Sequence, residues 1–388
     1  MTTCLDCRCA HPSPAACSGR LLVRTEVRHT LAILRSGLRD AGVEWTEPVP
    51  GLLDASSEEP GKVLAALAGR LSSIEATEVR VADVGGLDAA EQLGAALAAP
   101  TLAQATARVA HAELVELLED EGRRFRAVYQ PIVELAEPSR TVGYEALLRA
   151  SGPEGTLGAP ALFGAAEQAG WLNVLDRVGR TTALRDAAGW LGERTLFVNF
   201  LPTTIYRPEV CLRTTEAAAE RAGIALDRLV FEVTESERIT DVDHLERVFA
   251  YYRDRGCRVA LDDLGSGYAS LDLLVRLRPD VVKLDGSIVT RLPEPAATTV
   301  VAAVTDIVHA YGGVVLAECV ETAVQAEAAT ALGVDLGQGW LFGRPVERAQ
   351  LAAPGLAAPE LAAPELGAAE MGAAEMGAAE LAESAPGR

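Results

Sequence analysis

Arg258-Val259-Ala260-Leu261-Asp262-Asp263-Leu264-Gly265-Ser266-Gly267-Tyr268 is the stretch on which the fold turns. A short apolar run suited to a buried strand ends in two adjacent acids and a glycine-rich bend. The same pattern recurs on both sides. Strands are expected at Phe125–Glu134, Val142–Arg149, Leu196–Phe200, Leu229–Glu235, Arg258–Leu264, Val281–Asp285, Val314–Val320 and Leu336–Phe342. With helical stretches between them, they fit an α/β fold of the TIM-like (β/α)8 barrel type. An open doubly wound sheet would carry a glycine-rich phosphate loop after its first strand, and this sequence has none there.

In a parallel barrel the C-terminal ends of the strands share one rim, where active sites are built. That rim would gather Glu145, Glu232, Asp262, Asp263 and Glu318, with the amide of Asn199 and the ammonium of Lys283. So many half-buried carboxylates do not all ionise unless cations neutralise them. Oxygen donors without histidine favour Mg²⁺ or Mn²⁺ over zinc. The adjacent pair Asp262-Asp263 suits two ions, which about 3.5–4 Å apart can activate water and stabilise a leaving oxygen. Any one of these acids alone reads as an ordinary loop residue. Their placement at the ends of successive apolar strands carries the argument.

These residues resemble those of the EAL-domain family of cyclic di-GMP phosphodiesterases. The naming triplet is Glu145-Ala146-Leu147. The ordered matches are YQPIV (129–133), VNFLP (198–202), EVTES (232–236), DDLGSGYASL (262–271), VKLD (282–285), AECVET (317–322) and QGWLFGRP (338–345). The resemblance implies a modified barrel that cleaves one phosphodiester of cyclic di-GMP to linear pGpG. It gives Glu145, Asn199, Glu232 and Asp262 as ligands of one metal, and Asp262 and Asp263 as ligands of a second. Lys283 resembles the residue that positions water, and Glu318 a general base or assisting acid. Gln130, Leu147, Arg149, Asp285, Glu321 and Gln338 resemble substrate contacts. Glu235 resembles the acid bracing the loop Asp263–Ser270, which would order the second metal and form part of a homodimer contact. This chain departs from the family's usual Phe, Thr and Gly at Leu264, Ser266 and Cys319. A catalytically weak receptor or protein-interaction module is the competing function, and a structural scaffold a third.

Outside residues 123–350 the sequence divides into four parts. Residues 1–20 form an arm with Cys4, Cys7, Cys9 and Cys17, which read either as zinc ligands or as free or redox-active thiols. Residues 21–100 look like a small α/β domain of regulatory or dimerising role, with strands at Gly19–Val27 and Glu78–Val84 and helices at His29–Ala41 and Pro60–Leu71. A linker helix is expected over Thr101–Glu121, within residues 101–122. Residues 351–388 repeat a five-residue unit rich in Ala, Glu and Pro, which suits a disordered or marginally helical tail.

The formal net charge of −20 opposes binding to nucleic acid or to an anionic membrane. No apolar run is long enough to span a bilayer, and the N-terminal stretch lacks a secretory core, so a cytoplasmic location is expected.

Overall fold

The computed structural model describes residues 19–119, 123–152, 155–234, 241–265 and 271–351. The first region is a four-stranded antiparallel sheet. Its strands are β1 (Arg20–Arg24), β2 (Glu44–Val49), β3 (Leu52–Ser56) and β4 (Arg80–Asp83), in the order β2-β3-β1-β4. Helices Arg28–Asp40 and Pro60–Ala68 bring Leu34, Leu38, Leu64 and Leu67 onto Leu21, Val23, Leu53 and Val81. The hairpin β2–β3 escapes the sequence reading because β2 is polar and contains Pro48. Its place at the sheet edge explains why proline is tolerated there.

Two helices, Leu102–Ala110 and Ala112–Glu119, replace the single expected linker helix. The break falls at His111, where the backbone leaves the helical region (φ −106°, ψ 40°) and the ring meets Gln168 Oε1 at 3.0 Å. Arg108 Nε donates to the Ala169 carbonyl at 2.9 Å and its guanidinium lies 5.0 Å from the centre of the Trp171 ring. Leu114, Val115, Leu117 and Leu118 then pack with Phe125, Leu148 and Ala150.

The remaining strands are β5 (Phe125–Glu134), β6 (Glu137–Gly152), β7 (Gly155–Gly158), β8 (Thr195–Asn199), β9 (Leu229–Thr234), β10 (Arg258–Leu264), β11 (Val281–Leu284), β12 (Val314–Ala317), β13 (Leu336–Gln338) and β14 (Val346–Glu347). Eight of them close the expected barrel in the order β5-β6-β8-β9-β10-β11-β12-β13, with β13 returning to β5. One feature differs from an all-parallel barrel. β5 runs antiparallel to both its neighbours, whereas the pairings from β6 to β13 are parallel.

Each barrel strand gives one side chain to an interior apolar layer: Ile132, Val142, Phe197, Val230, Ala260, Val281, Leu316 and Leu336. A larger core, built from outward-facing residues such as Val198, Phe231, Val259 and Val282, lies between the barrel and its helices.

Candidate functional site

Side chains two residues apart in a strand share a face, so the layer above the apolar one follows by counting. From Phe197, Val230, Ala260, Val281, Leu316 and Leu336, two steps forward give Asn199, Glu232, Asp262, Lys283, Glu318 and Gln338. On β5, which runs the other way, two steps back from Ile132 give Gln130. On β6 a bulge puts Val142 out of step; the residue opposite Ile132 is Gly143, and two steps on stands Glu145. Polar side chains thus crown the apolar plug at one rim.

Lys283 is the hub. Its side chain is fully buried, with Nζ 2.7 Å from Glu318 Oε1, 2.9 Å from Asp262 Oδ1, 2.9 Å from Glu232 Oε2 and 3.8 Å from Glu145 Oε2. Burial alone would lower the ammonium's pKa, but the surrounding carboxylates outweigh it and hold it well above the ordinary lysine value. Burial pushes the carboxyls of Glu232, Asp262 and Glu318 up. Asp263 is pushed up to about 6, by burial first and then by the neighbouring Asp262. Its backbone sits in the left-handed region at φ 56°, and its N–H donates to Asp262 Oδ1 at 3.0 Å.

Glu145 is held from both sides. Asn199 Nδ2 donates to its Oε1 at 2.9 Å, and Gln338 Nε2 donates to its Oε2 at 2.7 Å. Gln338 Nε2 also lies 3.1 Å from Gln130 Oε1, and Gln130 Nε2 donates to the Gly343 carbonyl at 3.2 Å. Strand β13 stops after Gln338 because the chain crosses close to Val320. A Cβ at Gly339 would lie 2.2 Å from the Val320 carbonyl oxygen. Two buried oxygens at the site have no protein partner among the described residues: Glu232 Oε1 and Gln338 Oε1. Carboxylate oxygens of Asp262, Asp263 and Glu318 all lie within 4.8 Å of one another.

The other expected site residues sit farther from the hub. Leu147 and Arg149 continue along β6, and both are half-buried. Arg149 donates to the Leu148 carbonyl at 2.9 Å and makes no ion pair among the described residues. Burial lowers its pKa, and the charge of Glu145 partly restores it. Asp285 caps the short helix Gly286–Val289 by accepting the Ser287 N–H. Glu321 is exposed just beyond β12. Cys319, beside Glu318, is exposed as a residue with φ 53°, but partial desolvation of its thiol raises the pKa to about 11. Glu235, Ser266 and the cysteines at 4, 7, 9 and 17 lie outside the described residues. The sequence reading missed a buried pair, Asp176 and Arg180, behind Asn199. Its signal is an Asp-x-x-x-Arg spacing on the apolar face of a helix.

A family model described as "EAL domain" matches residues 111–345. The chain belongs to the EAL domain family. Among EAL relatives, the cyclic di-GMP phosphodiesterase NbdA of Pseudomonas aeruginosa is 32% identical over 245 residues, covering 62% of this chain and 31% of that protein. A standalone EAL protein of Vibrio cholerae, solved in its c-di-GMP-bound form, is 31% identical. That match covers 58% of this chain and 93% of the other, with a TM-score of 0.52. The EAL-containing YkuI protein of Bacillus subtilis, in complex with substrate c-di-GMP and calcium, is 26% identical. It covers 60% of this chain and 58% of the other, with a TM-score of 0.53. This chain spans 30%, 27% and 20% of the lengths of the first curated relatives it matches.

Proposed function

We propose that this chain hydrolyses one phosphodiester bond of cyclic di-GMP to give linear 5'-pGpG, with divalent ions, Mg²⁺ or Mn²⁺, at the barrel rim. The observation that carries the reading is the acidic crown. Glu145, Glu232, Asp262, Asp263 and Glu318 converge where one ammonium, Lys283, is the counter-charge. The orphaned, buried Glu232 Oε1 and the all-oxygen donor set fit hard divalent cations. The names of NbdA, a cyclic di-GMP phosphodiesterase, and of the YkuI complex, which holds calcium and c-di-GMP, support the same reading.

Glu145, Asn199, Glu232 and Asp262 would hold one ion, and Asp262 and Asp263 the other. Divalent ions held there would neutralise phosphate charge and lower the pKa of the attacking water, easing its deprotonation. The protein's side chains do the rest. Arg149, which has no acidic partner among the described residues, offers a planar fork of N–H donors to the non-bridging phosphate oxygens. Lys283 and Glu318, 2.7 Å apart, present a donor and an acceptor side by side. The ammonium fixes Glu318 and through it orients the attacking water, and Glu318, whose basicity burial raises, takes the water's proton. Gln338 and Asn199 hold Glu145 in place. In this reading Gln130, Leu147, Asp285 and Glu321 line the approach of the dinucleotide. The protein acts as a cytoplasmic homodimer through the barrel.

A nucleotide receptor with weak turnover is the second reading, and Cys319 favours it. This residue puts a side chain beside Glu318, at a backbone angle better suited to glycine. Incubating the purified chain with cyclic di-GMP and Mn²⁺ or Mg²⁺, followed by chromatography, decides between them. The phosphodiesterase reading expects pGpG that disappears with chelator and in Glu145→Ala. Tight binding without product would establish the receptor.

A further inference from the structure

Asp176 and Arg180 sit one turn apart on the helix Leu172–Ala187, and both are buried. A buried ion pair rarely repays its desolvation, so the contacts it organises are the more informative feature. Asp176 Oδ1 accepts the Leu201 N–H at 2.9 Å. Its Oδ2 accepts from Thr204 Oγ1 at 2.8 Å and from Arg180 Nε and Nη2 at 3.1 and 2.8 Å. Arg180 Nη1 donates to Thr215 Oγ1 at 2.6 Å. The carboxylate therefore ties down the segment that follows Asn199. The Phe200 N–H makes the last bond of the barrel ladder, to the Glu232 carbonyl at 2.9 Å, and the next N–H along the chain is the one Asp176 takes. Asn199 lies immediately before this double anchorage. Its amide nitrogen is committed to Glu145, so a cation at the rim would meet its carbonyl oxygen.

We propose that Asp176 is a positioning residue. Through the Leu201 N–H it fixes the backbone that aims Asn199, and so sets the oxygen that Asn199 offers to a divalent ion. This rests on the metal-dependent reading above. Outer partners that orient a ligand typically change metal affinity or activity by about 10- to 100-fold when lost. A pair serving only to fasten helix to barrel would change stability and leave ion binding alone.

The test compares two double variants of the full chain. Asp176→Leu with Arg180→Leu removes the anchor without stranding a charge, a replacement that buried ion pairs often tolerate. The Thr204 hydroxyl then has the Leu201 carbonyl, 2.8 Å away, as an alternative acceptor. Asp176→Asn with Arg180→Gln removes the same charges but keeps an oxygen able to accept the Leu201 N–H. Mn²⁺ binding is measured by calorimetry without nucleotide, alongside thermal melting. The expected result is an affinity weakened about tenfold or more in the leucine pair and close to that of the unaltered chain in the amide pair. Equal affinities in both pairs, lowered or not, overturn the proposal. Should the leucine pair not fold, Asp176→Glu keeps the ion pair but displaces the acceptor by one methylene. It should weaken Mn²⁺ binding in the same direction, and unchanged affinity there also overturns the proposal. An unaltered chain that binds no Mn²⁺ overturns the metal-dependent reading and this proposal with it. Equal binding by the unaltered chain and the leucine pair overturns this proposal alone.

Discussion

Replacing Lys283 with methionine keeps the length of the side chain and removes the one ammonium at the centre of the rim. At an effective dielectric constant of 20, each of its three short contacts carries a gross attraction of about 6 kcal/mol. Most of that is cancelled by desolvation of a fully buried cation and by repulsion among the acids. Removing one partner of a buried pair costs about 3–5 kcal/mol net, and the same range is expected here at neutral pH in chelator. At roughly 2–4 °C per kcal/mol for a barrel of this size, the melting midpoint should fall by roughly 6–20 °C. The pH dependence has a definite sign. Glu232, Asp262 and Glu318 have folded-state pKa values raised above the unfolded ones. Their protonated forms therefore contribute stability that is fully present below about pH 4 and is lost as the pH rises through the folded values. Losing Lys283 lifts those values further. The gap between variant and unaltered protein should open as the pH rises from acid to neutral and close on acidification. Melts followed by circular dichroism across that range, with and without Mn²⁺, measure it. Equal midpoints at pH 7.5 in chelator, or a gap that ignores pH, would refute the assignment of Lys283 as counter-charge.

Three further outcomes are expected. Arg149→Ala should raise KM for cyclic di-GMP by about tenfold or more, as expected for a charge-assisted contact worth about 1.5–3 kcal/mol, and Arg149→Lys should rescue little because a point charge does not replace the fork. An unchanged KM would remove Arg149 from the phosphate. Because Asp263 is held at about 6, calorimetric Mn²⁺ affinity without nucleotide should drop as the pH falls through that value, proton and cation competing for one carboxylate. Asp263→Asn should abolish that step, and its persistence would assign it elsewhere. Cys319→Gly should raise the unfolding midpoint, since a non-glycine residue at φ 53° costs about 1–2 kcal/mol, part of it offset by glycine's freedom in the unfolded chain. A lowered midpoint would mean that the backbone there is relaxed.

The barrel's strands were legible because buried strands leave continuous apolar runs. Phe125–Glu134 and Arg258–Leu264 are found with the bounds expected. The carboxylates at their ends were legible for the same reason, since charge at the edge of an apolar run has to be used. The direction of β5 was not read, because periodicity carries no sense of direction. A clue existed in residues 135–141, too few for the crossover that parallel neighbours require. Strand β13 was expected to reach Phe342 and stops at Gln338, since its end is set by the tertiary approach of Val320. The break at His111 falls in a helix-favouring stretch without proline or glycine, and it coincides with the contact to Gln168. Nor does composition reveal Asp176, whose role depends on a backbone N–H twenty-five residues away.

The packing of Ala112–Glu119 against the barrel sets a lower limit on what can be excised. A fragment cut at residue 123 would strip one side of the cover from Phe125 on β5 and from Leu148 and Ala150 on the outer side of β6, the strand whose inner side bears Glu145. Such a fragment would tend to self-associate through that bared patch. A well-behaved minimal unit has to start at Ala112 or earlier, which agrees with a family match beginning at residue 111.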